Sequence, residues 1–255
     1  MMDRKVALVT GSGRGIGRGI ALAFAAEGYD VCVNYNTSVE RAEAVVQEIR
    51  ALGVRAEAVQ ADISTIEGIS ALFEGFSKHF YRLDVHVDNS GITRMKPFLE
   101  TTPEMFDEVI HTNLRGLYFC GQRAARLMIE QGTKGVIIHI SSNHTQGTWA
   151  NSTVYAAAKA GVNKLTKNMA LDLASYGIRV AGIAPGYTLL EKQRDERALQ
   201  FIEAISSRIP LGRFTTPEEV GGAAVYLSSD KASYITGTTL YMDGGALLPV
   251  WADQG

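Results

Sequence analysis

Val6-Ala7-Leu8-Val9-Thr10-Gly11-Ser12-Gly13-Arg14-Gly15-Ile16-Gly17 governs how the rest of the chain is read. The run from Val6 to Thr10 lacks polar alternation, as a strand covered on both faces should. A glycine-rich turn follows, and the apolar spacing from Ile16 to about Glu27 predicts a helix that Gly28 ends. In such a strand-turn-helix unit the glycines allow a tight turn and close backbone approach. The helix start then offers unpaired N–H groups to an anion such as a pyrophosphate. The spacing is Gly-x-x-x-Gly-x-Gly at Gly11, Gly15 and Gly17, not the more familiar Gly-x-Gly-x-x-Gly. A glycine-rich turn without a ligand is the competing explanation, which the strand before it and the helix after it disfavour.

The same alternation continues to the end of the chain. Val31 to Asn34 is a second strand, and Thr37-x-x-Glu40 forms a capping box for a helix reaching Leu52. Val54 to Ala61 is the third strand, Ser64-x-x-Glu67 caps a helix ending near Phe80, and Leu83 to Val87 is the fourth strand. Thr102-Pro103-Glu104 opens one long helix to about Gln131, with proline in its first turn. A strand at 136–141, a helix at 153–173 and a strand from Arg179 to Ala184 follow. Residues 187–209 break the rhythm as a charged, helical insertion suited to cover a substrate. Thr216-Pro217-Glu218-Glu219 then starts a helix before the seventh strand, Thr238 to Met242. The expected fold is α/β, one doubly wound domain over residues 1–255 with a seven-stranded parallel sheet and helices on both faces. Ligands of such sheets bind beyond the carboxyl ends of the strands, at the topological switch point.

Composition narrows the function classes. At 255 residues, 46% apolar and 20% charged, the chain has the make-up of a globular protein with a substantial core. A net charge of −2 with scattered basic residues gives no footprint for nucleic acid. The longest apolar runs fall short of a membrane span, and the start Met1-Met2-Asp3-Arg4-Lys5 shows no signal peptide, so a cytoplasmic location is expected. Cys32 and Cys120 lack metal-ligand spacing and are expected to be buried, reduced thiols; the five histidines form no ligand set, and no metal is expected.

Chemistry is suggested by Tyr155-Ala156-Ala157-Ala158-Lys159, with Ser142 at the end of the fifth strand. On a helix the tyrosine and lysine project from one face. A phenol releases its proton only near pH ~10, and a neighbouring ammonium lowers that value. With Ser142 bonding a substrate oxygen, the set suits proton transfer to or from a carbonyl or alcohol. Tyr-x-x-x-Lys also occurs by chance in many helices, so the pair needs its context. At the end of the second strand, Asn34-Tyr35-Asn36-Thr37-Ser38 carries no carboxylate to bind the ribose hydroxyls of NAD, and Arg14 offers a charge for a 2′-phosphate. NADP is therefore expected over NAD. An arginine that merely solvates the loop is the competing explanation.

Together these motifs resemble the short-chain dehydrogenase/reductase family along essentially the whole chain. Gly11/Gly15/Gly17, Ser142/Tyr155/Lys159, Pro185-Gly186 and Asn113 in His111-Thr112-Asn113-Leu114 stand in the family's order and spacing. The resemblance implies a Rossmann-fold, homotetrameric, NAD(P)-dependent oxidoreductase acting on a small molecule. Its catalytic set would be Asn113, Ser142, Tyr155 and Lys159. Tyr155 would be the general acid/base, Ser142 the oxygen ligand, Lys159 the group that lowers the tyrosine pKa and binds the ribose, and Asn113 the holder of a water. Gly11, Ser12, Arg14, Gly15, Ile16, Gly17, Asn34, Tyr35, Asn36, Asp62, Ile63, Asn89, Ser90, Gly91, Tyr155, Lys159, Pro185, Gly186 and Thr188 would bind the cofactor.

Three positions depart from the family's pattern. Asp88 replaces the first asparagine of Asn-Asn-Ala-Gly, Ala181 removes a side-chain amide, and Leu190 replaces a threonine beside the nicotinamide. All three bear on cofactor affinity rather than chemistry. Local stretches are most similar to the glucose 1-dehydrogenase and 3-oxoacyl-carrier-protein reductase branches. The expected function is an NADP(H)-dependent interconversion of a carbonyl and a secondary alcohol on a small polar substrate such as a sugar or polyol. His144, Trp149 and Tyr187 join Ser142 and Tyr155 as the candidate substrate-lining groups, although a loop histidine facing solvent and a packing tryptophan are the plainer expectations. Reduction of a 3-oxoacyl thioester is the alternative, for which Arg94, Lys96, Arg123 and Arg126 would have to form a basic patch. A dinucleotide-binding sensor or scaffold would have no need of the acid–base set. The small residues Gly116, Gly121, Ala124 and Ala125 suit either packing against symmetric copies or packing onto the sheet. The apolar stretch Leu247 to Trp251 is expected at a subunit contact.

Overall fold

The computed structural model describes residues 4–190 and 195–248. Its strands are β1 (Val6–Val9), β2 (Asp30–Tyr35), β3 (Ala56–Gln60), β4 (Val85–Asp88), β5 (Val136–Ile140), β6 (Arg179–Pro185) and β7 (Thr239–Met242). They form one parallel sheet in the order β3-β2-β1-β4-β5-β6-β7. The chain winds outward from β1 to β3, then returns to lay β4 on the other side of β1. The crevice beyond the β1 and β4 ends is thus the switch point.

Alternation along each strand splits the core between two faces. Val9, Val33 and Ile138 point to α1 (Gly15–Ala26), α2 (Val39–Ala51) and α8 (Pro217–Ser228). Leu8, Cys32 and Ile137 point to α3 (Ile66–His79), α5 (Leu117–Glu130) and α6 (Thr153–Leu173). Both cysteines are buried free thiols, and burial raises their pKa values. Gly116, Gly121, Ala124 and Ala125 are buried within the chain itself.

Some local expectations shift. The capping box at Thr37 does not form, because α2 starts after Ser38, whose hydroxyl bonds the Glu40 carboxylate (3.3 Å) rather than a helix N–H. At α3 the cap is Thr65, whose hydroxyl accepts from the Gly68 N–H (3.0 Å). Ser64 is still turning, its own N–H bonded to the Asp62 carboxylate (2.9 Å). The long helix is interrupted: α4 (Pro103–Ile110) passes through a π-helical turn, His111–Gly116, into α5. Such turns open the i→i+4 ladder and often mark functional sites; here the turn carries Asn113. The capping box at Thr216/Glu219 does form at α8. Within the insertion, α7 spans Glu196–Ser206, and residues 191–194 lie outside the described residues.

Candidate active site

The glycine loop links β1 to α1. Gly15 has φ +54°, a left-handed conformation that favours glycine. At Gly17 a Cβ would lie 2.4 Å from Asn89 Nδ2 and 2.5 Å from the Gly11 carbonyl, so only glycine fits. Asn89 Nδ2 donates to the carbonyls of Thr10 (2.9 Å) and Gly11 (3.2 Å), and Thr10 Oγ1 accepts the N–H groups of Asn89 and Ser90 (both 3.0 Å). The chain after β4 thereby shapes the loop after β1.

Two side chains expected on the cofactor point inward. Ser12 is fully buried and donates to the Val9 carbonyl (2.7 Å). Asn34 is 1% exposed; its Oδ1 accepts from the Gly11 N–H (3.1 Å) and its Nδ2 donates to the carbonyls of Val59 and Ala61 (both 3.2 Å). Both residues brace the loop from within, their polar atoms spent on the main chain. Tyr35 is half-buried, Asn36 and Arg14 are exposed, and Ile16 packs partly against the core. Ile63 is buried in the other core cluster, while Asp62 turns the chain into α3.

A dinucleotide fits these residues. Arg14, the N-cap of α1, makes no side-chain capping bond, and the first turn holds no carboxylate, so the helix start keeps free donors for a pyrophosphate. Among the described residues a Cβ on Gly15 would meet the Leu190 side chain, at 3.5 Å.

The oxygen chemistry collects where β5 ends. Ser142 stands two residues past the end of β5, and α6 carries Tyr155 and Lys159 on one face. Lys159, 3% exposed, donates from Nζ to the Ile140 carbonyl (2.7 Å), fastening α6 to the tip of β5. Ser141 reinforces the joint through Asn163 Oδ1 (2.7 Å). Burial pushes the Lys159 pKa down to about 8, against the pull of the Asp88 carboxylate. Tyr155 differs from expectation: burial raises its phenol above the ordinary value, and the hydroxyls of Ser142 and Thr93, as hydrogen-bond partners, lower it. Lys159 Nζ stands 5.9 Å from the Tyr155 ring centre. Thr93 was not legible in the sequence, since it sits in irregular chain after β4 with no motif around it.

Asn113 is fully buried in the π turn. Its Oδ1 accepts from the Ile92 N–H and its Nδ2 donates to the Ile92 carbonyl, both at 2.8 Å. These two bonds clamp the chain beside Gly91. A Cβ on Gly91 would lie 3.2 Å from Asn113 Oδ1 and 3.6 Å from Lys159 Nζ.

His144 does not face solvent. Its ring stacks on Trp149 (centroids 4.0 Å, 22°) and meets the edge of Tyr155 (5.2 Å, 89°). Trp149 Nε1 donates to the Tyr187 hydroxyl (3.0 Å), and Tyr187 stacks on Phe214 (5.1 Å). These aromatic side chains join Tyr155 to the insertion. At the end of β6, Pro185 is buried and the Gly186 N–H bonds the Met242 carbonyl (3.0 Å). Thr188 Oγ1 donates back to Gly186 (3.3 Å).

Of the departures, Asp88 has its own partners. It is 2% exposed, accepts from or shares a proton with His86 Nε2 (3.0 Å), and lies 3.7 Å from His139 Nε2. Ala181 is fully buried in the core, and Leu190 lies over Gly15. The basic residues do not gather. Arg94 pairs with Glu108 (2.6 Å) and Lys96 with Glu100 (3.7 Å), while Arg123 and Arg126 border a groove shared with Glu74 and Glu130. Leu247 packs beside Gly147, Leu248 is exposed, and residues 249–255 lie outside the described residues. Among the described residues no helix is long and apolar enough to cross a membrane.

Comparison with known proteins agrees with this geometry. A family model described as enoyl-(acyl carrier protein) reductase matches residues 11–246. The 3-oxoacyl-acyl-carrier-protein reductase FabG of Staphylococcus aureus is 43% identical over 247 residues, covering 96% of this chain and 99% of that protein. Glucose 1-dehydrogenase 2 of Bacillus subtilis is 38% identical over 245 residues, covering 96% and 95%. The crystal structure of acetoin dehydrogenase from Enterobacter cloacae superposes with a TM-score of 0.90 at 33% identity and covers 100% of both chains.

Proposed function

The chain belongs to the short-chain dehydrogenase/reductase family of NAD(P)-dependent oxidoreductases acting on CH–OH groups, and we propose that it interconverts a carbonyl and a secondary alcohol on a small polar substrate, a sugar or polyol, with NADP(H). The observation that carries this is the meeting of Ser142, Tyr155 and Lys159 at the tip of β5, beside the crevice of the glycine loop.

A bound nicotinamide supplies or accepts hydride at the substrate carbon. Tyr155 passes its phenolic proton to the substrate oxygen in reduction and takes it back in oxidation. Ser142 donates a hydrogen bond to the same oxygen. The Lys159 ammonium, anchored on Ile140, places positive charge near the phenolate. His144, Trp149 and Tyr187 wall the site and limit water. Tyr155→Phe tests the assignment: turnover falls at least ~100-fold, the scale of general acid–base catalysis, with NADPH binding retained. Turnover near the parent level with any accepted substrate refutes it.

The choice of NADP rests on Arg14 and on the lack of a carboxylate from Asn34 to Ser38. A homotetramer is part of the proposal; Tyr118, Ile129 and Leu171 expose apolar surface on α5 and α6, and light scattering tests it. The likeness to the Staphylococcus aureus reductase favours a second reading, reduction of a 3-oxoacyl thioester. The pairing of Arg94 and Lys96 with carboxylates counts against it, because no free basic patch is left there for an acidic carrier. Turnover of acetoacetyl-CoA set against that of free sugars separates the two.

A further inference from the structure

Ser142 Oγ is engaged twice by one residue. It accepts the main-chain N–H of His144 (3.3 Å) and lies 3.1 Å from that residue's Nδ1. The imidazole is fixed in this pose between Trp149 and Tyr155. Its other nitrogen, Nε2, is buried and has no hydrogen-bond partner among the described residues.

A neutral imidazole carries one N–H and one acceptor nitrogen. With the proton on Nε2, the protein would bury an unpartnered donor, and Ser142 would have to give its only proton to Nδ1. With the proton on Nδ1, only a lone pair goes unpaired, which costs less than a stranded N–H. A hydroxyl has two lone pairs and one proton. Once the main-chain N–H and Nδ1–H of His144 occupy both lone pairs, the serine proton has no direction left except outward. We infer that His144 is a positioning residue which, as the Nδ1–H tautomer, makes Ser142 an obligate donor toward Tyr155 and the substrate oxygen. This rests on the proposed roles of Ser142 and Tyr155.

Burial holds the His144 pKa below its ordinary value, so the ring is neutral at neutral pH and the tautomer is what matters. A donating Ser142 also favours the Tyr155 phenolate. The other groups facing Tyr155 are Thr93 from the chain after β4 and Lys159 from α6, with Asp88 behind the lysine.

Nitrogen-15 histidine spectra of the full chain read the tautomer directly. The expected result is a protonated Nδ1 and a bare Nε2 at pH 7.5, and an Nε2–H signal for His144 overturns the inference. Kinetics supply the second test. His144→Phe keeps a ring against Trp149 but removes the donor; turnover is expected to fall roughly tenfold, the worth of one such hydrogen bond, with the KM for NADPH within about twofold. The alkaline-going limb of the pH profile assigned to Tyr155 should move up. His144→Asn, which restores an N–H near Nδ1, should recover most of the loss. An unchanged kcat and pH limb in the phenylalanine variant, or no recovery with asparagine, also overturns it. Persisting turnover in Tyr155→Phe refutes the reading of the site itself, whereas an inactive Tyr155→Phe beside an unaffected His144→Phe refutes only the role of His144.

Discussion

Asp88 Oδ1 lies 3.0 Å from His86 Nε2, two residues along the same strand, with both side chains sealed beneath the active site. A buried carboxylate with one imidazole on each side is a costly arrangement unless its partners stay in place. Asp88→Asn keeps an acceptor for His86 and removes the charge, so urea unfolding should show a change within about 1 kcal/mol. Asp88→Ala strands the histidine and should cost about 3 kcal/mol. In Asp88→Asn the Lys159 pKa, no longer held up by the carboxylate, drops below about 8, and turnover begins to fall at lower pH than in the parent. A parent-like pH profile would show that Asp88 does not act on Lys159.

His139 makes the fold sensitive to acid. Burial depresses its pKa to about 4, whereas the unfolded chain takes up that proton near pH ~6.5. Between these values the unfolded state holds more protons than the folded one. Stability is therefore complete above the unfolded value and drains away as pH falls toward 4, by about 3 kcal/mol in all. His139→Asn, which keeps a group for Thr166, should flatten the fall of the urea midpoint over this window. Equal slopes in both proteins would contradict the assignment.

The sheet and the placement of Tyr155 beside Lys159 are legible because they rest on short-range regularities: unbroken apolar strands, and a tyrosine and lysine one helical turn apart. Asn34 and Ser12 were misdirected by the same logic. Whether a residue at a strand end faces ligand or core depends on the pleat, and one position reverses it; Asn34 falls on the face that spends its amide on the main chain of Gly11, Val59 and Ala61. The partner of Asp88 on β5, His139, comes from a distant part of the sequence and is brought opposite only by the parallel register of β4 and β5. The π turn at Asn113 adds a single residue to a long helix, too little to disturb its apolar rhythm. His144 and Thr93 lie in irregular chain, where no periodicity tells inward from outward.

Gly17→Ala would drive a methyl group into Asn89 Nδ2 and the Gly11 carbonyl, neither of which can withdraw without loosening the loop. A loss of about 1–3 kcal/mol in stability is expected, the usual cost of overpacking, with weaker NADPH binding by calorimetry. Parent-like stability together with parent-like affinity would mean the loop is softer than its contacts imply.

Arg14→Ala tests cofactor choice. Loss of a charge-assisted bond to a 2′-phosphate should raise the KM for NADPH about tenfold and leave the KM for NADH nearly unchanged. Equal effects on both would place Arg14 on the shared pyrophosphate, and no effect would return it to the solvent.

The ends of the insertion between β6 and α8 are clasped to each other. Thr215 N–H bonds the Tyr187 carbonyl (3.0 Å), Leu189 N–H bonds the Thr215 carbonyl (2.8 Å), and helix α7 has no buried residue. A clasp of that kind separates two evolutionary problems. The segment inside it can be lengthened, shortened or exchanged for that of another family member at little cost to the sheet, so substrate range can drift or be engineered while Ser142, Tyr155 and Lys159 beneath it are inherited unchanged.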